Sequence, residues 1–195
     1  MKSLFKTALI ATMTILMTAC ATRTVTRIDP NTVTDLSGRW NDTDSKLVAQ
    51  AMIQDVLQRP WRTNFTEKKG KKPTIIVGII TNRSNEHIEA ETFIKDIQME
   101  FINSGTVRVV QNSVLREAIR KERGDQQQFA SPETQKKFGK ELGADYMMFG
   151  YINSTEDAYG KNKVTNYKVN LELADMETNE LVWIGNKEIK KAIKN

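Results

Sequence analysis

Hydrophobic residues recur along this chain at two spacings, and each spacing predicts one kind of element. Apolar residues three and four positions apart, together with helix start and stop residues, predict four helices, over residues 42–57, 93–102, 113–124 and 131–143. Apolar runs or strict apolar–polar alternation predict five strands, over residues 74–80, 107–110, 146–152, 167–173 and 181–184. The order α-β-α-β-α-α-β-β-β predicts an α/β fold leaning towards α+β, in which helices pack on a single mixed β-sheet. The basic tail from Asn186 either continues the last strand or frays.

Single residues predict where several elements begin and end. Asp42 or Asp44 can accept a hydrogen bond from the first turn of the first helix, and Pro60 is predicted to end that helix because proline has no amide proton. A charged loop, residues 67–72, follows the first helix. Residues 126–130 are predicted as a polar loop after the third helix.

The first twenty residues have the pattern of an export signal. A basic start with Lys2 and Lys6 precedes an apolar run from Ala8 to Met17, and small residues follow the run. The run is too short to span a bilayer, which takes about 20 apolar residues. Cys20, the single cysteine of the chain, stands where the signal ends. This arrangement resembles the bacterial lipobox, in which the cysteine becomes the lipidated first residue of a lipoprotein. The alternative is an ordinary secretory signal.

By that resemblance, Cys20 carries a diacylglycerol group and an N-linked acyl chain, which hold the protein on a membrane. Ala21 follows the cysteine, and similarity to enterobacterial lipoprotein sorting then implies the outer membrane, facing the periplasm. Residues 1–19 are predicted to form the signal peptide, residues 20–35 the lipidated cysteine and a short flexible tether, and residues 36–195 one globular domain. Fully extended, the tether reaches about 50 Å.

The amino-acid composition argues against several classes of function. With 27% charged and 39% hydrophobic residues, the chain has the composition of a globular domain. The net charge of +5 includes two lysines of the leader, and the other basic residues alternate with acidic ones, so no nucleic-acid-binding patch is predicted. One histidine and one cysteine argue against a zinc site, and no nucleophile constellation is visible. We therefore expect no enzyme activity, no metal, no cofactor besides the acyl chains and no small-molecule substrate.

Four segments carry a resemblance to a known family. Residues 35–44 (DLSGRWNDTD) follow the tether, and residues 82–88 (NRSNEHI) follow the first predicted strand. Both resemble the LpoB family, outer-membrane lipoproteins that activate a class A penicillin-binding protein. Residues 142–146 (LGADY) and 175–183 (DMETNELVW) are similar to the broader group of periplasmic lipoprotein domains with a TolB N-terminal-like α/β fold.

The resemblance implies a regulator that has no catalytic residues. Such a protein binds the small non-catalytic docking domain of a bifunctional peptidoglycan synthase and stimulates glycan polymerisation and cross-linking through allostery. One alternative in the same fold group is a non-catalytic accessory of an outer-membrane assembly or secretion complex. Another is an envelope enzyme, which would require turnover that depends on one Ser, His or carboxylate. Family members also carry a long proline-rich linker, whereas the tether here is short and has Pro30 as its single proline.

The residues that we expect to bind the partner lie in the first two of these segments: Arg39, Trp40, Arg83, Asn85 and His87. An aromatic ring accompanied by arginines is typical of interface hot spots. The structural alternative is that Arg39 and Trp40 brace the first helix and that residues 82–87 cap the second.

Overall fold

The structure, a computed structural model, describes residues 24–30, 32–129 and 141–194. The chain divides into two units, Met1–Thr32 and Val33–Asn195. In the first unit, the described residues form neither helix nor strand, and the amide of Thr32 donates to the carbonyl of Asp29 at 2.9 Å. The predicted signal peptide and Cys20 lie outside the described residues.

The described residues of the second unit form four helices and five strands, in the order α-α-β-α-β-α-β-β-β. They are α1 (Asp42–Gln58), α2 (Pro60–Lys69), β1 (Thr74–Asn82), α3 (Ala90–Asn103), β2 (Arg108–Val110), α4 (Ser113–Phe129), β3 (Tyr146–Tyr159), β4 (Asn162–Asp175) and β5 (Leu181–Lys194).

The five strands form one mixed sheet in the order β2-β1-β3-β4-β5. β1 pairs in parallel with β2 and β3, whereas β3, β4 and β5 pair antiparallel as a meander. Helices α1 and α3 pack against each other and against the sheet. Alternate residues of β4 are fully buried in the core, namely Tyr167, Val169, Leu171 and Leu173. The predicted fold class and the predicted alternation of β4 are confirmed.

Helix α2 is absent from the predicted order, and its last turn replaces the first part of the loop predicted over residues 67–72. Pro60 ends α1, but it is also the first residue of α2, a position where its missing amide proton costs no hydrogen bond. Trp61 and Phe65 of this helix are buried. The helix continues to Lys69, inside the predicted loop of residues 67–72, and ends at Gly70, which has a positive φ of 64°.

The start of α1 also differs in detail from the prediction. The N-cap residue is Asn41 rather than Asp42 or Asp44. The side chain of Asn41 accepts a hydrogen bond from the amide of Asp44 at 3.1 Å, and the carboxylate of Asp44 accepts one from the amide of Asn41 at 2.9 Å. This reciprocal pair is a capping box, which satisfies two amides that the helix itself leaves unpaired.

Helix α4 is longer than predicted. It continues past Gly124 to Phe129, so most of the predicted loop at residues 126–130 is helical; Ala130 lies outside the described residues. A glycine inside a helix costs only about 1 kcal/mol, which is too little to end the helix here. Of the predicted helix over residues 131–143, residues 131–140 lie outside the described residues, and residues 141–143 are not helical.

The three strands of the meander are each 14 residues long, longer than their apolar segments predicted. The tail from Asn186 continues β5 to Lys194. The last five residues of β3, from Thr155 to Tyr159, are exposed, so backbone pairing with β4 rather than burial keeps them extended. Hydrophobic periodicity does not detect such pairing.

Candidate partner-binding site

Three of the predicted partner-binding residues share the β1–α3 loop (Arg83–Glu89): Arg83, Asn85 and His87. Asn82, at the end of β1, closes the loop on itself. Its side-chain amide donates to the carbonyl of Glu86 at 2.7 Å, and its side-chain oxygen accepts from the amide of Ser84 at 2.9 Å. Such local side-chain-to-backbone bonds define a turn, so the loop has a fixed shape.

Exposure alternates along the loop. Arg83, Asn85 and His87 are exposed, and the intervening Ser84 and Glu86 are partly buried. The loop therefore presents three polar side chains, among them the Arg83 guanidinium, on the outer surface. The partly buried side chains of Ser84 and Glu86 lie between these three and face the fold.

His87 does not cap the second predicted helix, as the structural alternative for residues 82–87 supposes. Helix α3 begins at Ala90, and its N-cap residue, Glu89, makes no side-chain capping bond. The side chain of His87 is 94% exposed, and its Nε2 lies 4.0 Å from Oε2 of Glu89. Neither capping nor packing accounts for this histidine.

The loop is attached to β3. The amide of Arg83 donates to the carbonyl of Ile152 at 2.8 Å, and the amide of Asn85 donates to Oγ of Ser154 at 3.3 Å. The guanidinium carbon of Arg83 lies 4.4 Å from the centroid of the Tyr151 ring, within cation–π range. Arg83 thus has a defined orientation although its side chain faces solvent.

Trp40 is packed into the fold, whereas the neighbouring Arg39 is exposed. The Trp40 indole makes edge-to-face contacts with Phe93, at a centroid distance of 6.3 Å, and with Tyr167, at 5.6 Å. Its Nε1 donates to Oγ of Ser45 in α1 at 2.8 Å. The ring of Trp40 connects the segment before α1 with α1, α3 and β4, which leaves only part of it for an external contact.

Glu86 brings the two predicted segments together. One of its carboxylate oxygens accepts from the hydroxyl of Tyr167 at 2.7 Å, and the other accepts from the amide of Trp40 at 3.2 Å. Burial and the hydrogen bond to Glu86 raise the pKa of Tyr167. The β1–α3 loop and Trp40 are therefore neighbours at one end of the sheet.

Lys191 of β5 holds both the segment before α1 and the first turn of α1. Its Nζ lies 2.5 Å from Oδ1 of Asp35, 2.6 Å from Oδ2 of Asp44 and 2.9 Å from the carbonyl oxygen of Arg39. The lysine is only 8% exposed. Burial lowers the pKa of Lys191, but the hydrogen bonds to the two carboxylates outweigh it and raise that pKa above its ordinary value. The hydrogen bond from Lys191 lowers the pKa of Asp35.

Gly38 has a structural reason to be glycine. Its φ is +66°, and a Cβ atom there would lie 2.5 Å from Cγ1 of Ile193 in β5. A side chain at this position would therefore be strained and would push the segment away from the sheet. Together with the Lys191 contacts, this close approach gives residues 35–44 a structural role at the start of the folded unit.

No sequence signal singles out Glu86, Tyr167 or Lys191 as the residues that join these segments. The apolar–polar alternation of β4 predicts that Tyr167 faces the core, but not that its hydroxyl reaches Glu86. Asp35 and Lys191 are 156 positions apart, and only the folded sheet brings them together.

Among residues 24–30, 32–129 and 141–194, no group of three or more His, Cys, Asp or Glu could hold a metal ion.

None of the helices that the structure describes has the length and apolar character that a bilayer crossing requires. The family model for the peptidoglycan-synthase activator LpoB matches residues 44–189. The chain belongs to the LpoB family. This family consists of activators of peptidoglycan synthases rather than synthases. The match includes Arg83, Asn85 and His87 of this LpoB-family chain, whereas Arg39 and Trp40 precede it.

Solved structures similar to this LpoB-family chain include the LpoB C-terminal domain from Salmonella enterica, with 17% identity, a TM-score of 0.42, and coverage of 78% of this chain and 99% of that one. The NMR structure of LpoB from E. coli has 14% identity, a TM-score of 0.43, and coverage of 91% and 86%. Lipoprotein GNA1162 from Neisseria meningitidis has 15% identity, a TM-score of 0.38, and coverage of 63% and 85%. No curated protein sequence matches the chain.

Proposed function

We propose that this LpoB-family protein is an outer-membrane lipoprotein that binds and allosterically activates a bifunctional class A penicillin-binding protein. The observation that carries the proposal is the family match over residues 44–189, which span nearly the whole folded unit. Activation in this sense requires no catalytic residue in the activator. A bound protein shifts the synthase towards its active state only if it binds that state more tightly than the inactive one.

The proposed docking surface is the β1–α3 loop with Arg83, Asn85 and His87. All three side chains are exposed, and the backbone beneath them is fixed by hydrogen bonds to Ile152 and Ser154. A preformed loop loses little conformational entropy on binding, which favours affinity. Arg83, which is oriented by the ring of Tyr151, is the residue that we expect to contribute most.

The proposed anchor is the lipidated Cys20, whose acyl chains would be the protein's only prosthetic group. The residues between Cys20 and Asp35, which Lys191 holds in the fold, then form the tether, which reaches at most about 50 Å when fully extended. The folded part of the chain begins beside the β1–α3 loop, because Trp40 contacts Glu86 of that loop. The proposed docking surface thus lies at the end of the domain that the proposed tether joins, hereafter the anchored end. A short tether then requires a narrow periplasm, a synthase that extends towards the outer membrane, or a different partner near that membrane.

The proposal is tested by following glycan-strand formation from lipid II by a class A penicillin-binding protein of the same organism. The protein is added as residues 21–195, without the lipidated cysteine. We expect a several-fold increase in rate that is lost in the variant Arg83→Ala/Asn85→Ala/His87→Ala. These side chains are exposed, so the variant is expected to unfold at the same urea concentration as the parent.

The matched control is Asn103→Ala/Arg108→Ala, which also removes one asparagine and one arginine from exposed positions. Arg108 pairs with Thr74 at the opposite end of β1, a nine-residue strand about 30 Å long. The control is expected to activate like the parent protein. Absence of binding and of any rate change with the parent would contradict the proposed function. Activation that survives the triple substitution would contradict the assigned docking surface.

A further inference from the structure

A cleft of about 890 Å³ lies between helix α2 and the β4–β5 turn (Asp175–Glu180). Its volume is in the range of small-ligand sites. Tyr146, at the base of the cleft, begins β3, whereas Ser154, which contacts the β1–α3 loop, lies eight positions further along the same strand. Eight residues of extended strand span about 27 Å. This distal cleft is therefore separate from the proposed docking surface.

The floor of the distal cleft is aromatic and rigid. The rings of Trp61 and Tyr146 lie 5.0 Å apart between centroids, those of Phe65 and Tyr146 lie 5.6 Å apart, and all three residues are at most 8% exposed. On the side of the turn, two apolar side chains remain largely uncovered: Met176, 48% exposed, and Leu181, 52% exposed. The cleft thus has an apolar surface for an aliphatic group.

Two carboxylates at the cleft are occupied by the protein itself. Asp145 accepts from the amide of Thr74 at 2.9 Å and pairs with Lys71 at 3.2 Å. Asp175 accepts from the backbone amides of Glu177 and Thr178, at 2.8 and 2.9 Å, which shapes the turn. These bonds give Asp145 and Asp175 a structural role at the edge of the cleft.

The charged groups that remain stand on opposite walls. Lys68 and Lys69 belong to α2, and Glu177 and Glu180 belong to the turn. One ion pair crosses the cleft, with Nζ of Lys69 3.9 Å from Oε2 of Glu177, and these side chains are 44% and 83% exposed. Such a solvent-exposed pair contributes little to stability. A ligand that offers a carboxylate to the lysine wall and an ammonium to the glutamate wall can replace this contact at low cost.

We propose that the distal cleft binds a short peptide that carries a carboxylate and an ammonium on an aliphatic spacer, the chemistry of the peptidoglycan stem peptide. The end of a meso-diaminopimelate side chain carries both charges on such a spacer. The aliphatic carbons pack on the aromatic floor and on Met176, while the charges pair with Lys69 and Glu177. This inference goes beyond the proposed function because it requires no synthase.

The test is isothermal titration calorimetry of the full-length lipoprotein in detergent with the tripeptide L-Ala-γ-D-Glu-meso-diaminopimelate. We expect one site with a Kd below about 1 mM. Lys69→Met and Glu177→Gln are each expected to weaken binding about tenfold or more. Both positions are exposed, so neither variant is expected to change the urea concentration at which the protein unfolds.

The matched control is Glu156→Gln/Lys163→Met, which removes another ion pair near the surface, 2.7 Å long with both side chains 35% exposed, from the β3–β4 hairpin. It is expected to bind the tripeptide like the parent protein. A second arm uses L-Ala-L-Glu-L-Lys, which lacks the carboxylate at the end of the side chain and represents a protein segment. We expect it to bind about tenfold more weakly. Any of three results would overturn the proposal. The parent protein does not bind the tripeptide at millimolar concentration, the Lys69 and Glu177 variants bind it as tightly as the parent does, or the L-peptide binds as tightly as the tripeptide.

Discussion

The two ends of the sheet differ in where their charged groups lie. At the anchored end, charged groups are partly or fully buried and are bonded within the fold: Lys191 binds two carboxylates, and Glu86 accepts from both Tyr167 and Trp40. At the distal end, three aromatic side chains pack edge to face and leave the charged groups of the cleft walls exposed. Polar networks impose geometry, whereas apolar burial mainly supplies stability. The anchored end is therefore suited to position a docking loop, and the distal end to provide a surface for a ligand.

The largest expected effect tests the contribution of the distal end to stability. Trp61→Ala removes a buried indole that packs on Tyr146 and donates to the carbonyl of Val56 at 2.7 Å. Truncation of a buried tryptophan costs about 3–5 kcal/mol. We expect this loss in the free energy of unfolding measured by urea denaturation. The control Met176→Ala alters a half-exposed side chain of the same cleft and should cost less than about 1 kcal/mol. Equal effects of the two substitutions would show that the aromatic floor does not stabilise this end.

The next effect tests the ionic contacts of the anchored end. Lys191→Met keeps the length of the side chain but leaves Asp35 and Asp44 without their cation, and the side chain of Asp44 is only 7% exposed. Breaking a buried ion pair in this way costs about 3 kcal/mol or more. We expect that loss in urea denaturation, together with faster hydrogen exchange at the amide of Trp40.

Lys190→Met is the control for the loss of Lys191, because Lys190 is exposed and adjacent in β5. It should change the free energy of unfolding by less than about 0.5 kcal/mol. If Lys191→Met were as mild as this control, the buried charges would not hold the anchored end. The comparison between the two ends would then fail.

Sequence reasoning predicted the two ends with unequal success. The segments of the anchored end, residues 35–44 and 82–88, were found through their resemblance to the LpoB family. The sheet could be predicted because apolar and polar residues alternate strictly along β4. Helix α2 was missed because Pro60 both ends one helix and begins the next, and the wall of the distal cleft was missed with it. Lys191 was missed because its partners lie about 150 positions earlier. Long-range polar contacts have no periodicity, so only the folded structure identifies them.

The smallest expected effect is the contribution of Asp35, at the anchored end, to the pH dependence of stability. The hydrogen bond from Lys191 lowers the pKa of Asp35 in the folded state. The stability that Asp35 contributes is therefore present above the unfolded-state pKa of about 4 and is lost as the pH falls through the lower folded-state pKa. Asp35 is half-exposed, so its contribution should stay below about 1 kcal/mol.

Comparison of the parent protein with Asp35→Asn at several pH values measures this contribution. The difference in the free energy of unfolding should be largest at neutral pH and should shrink below pH 4 or so. In a Lys191→Met background, Asp35→Asn should no longer change the acid dependence, because the hydrogen bond that lowers the pKa is gone. A difference that persists in this background would assign the effect to the Asn41 side chain, which also donates to Asp35 at 2.7 Å. The acid sensitivity of the anchored end would then come from the helix cap rather than from the buried lysine.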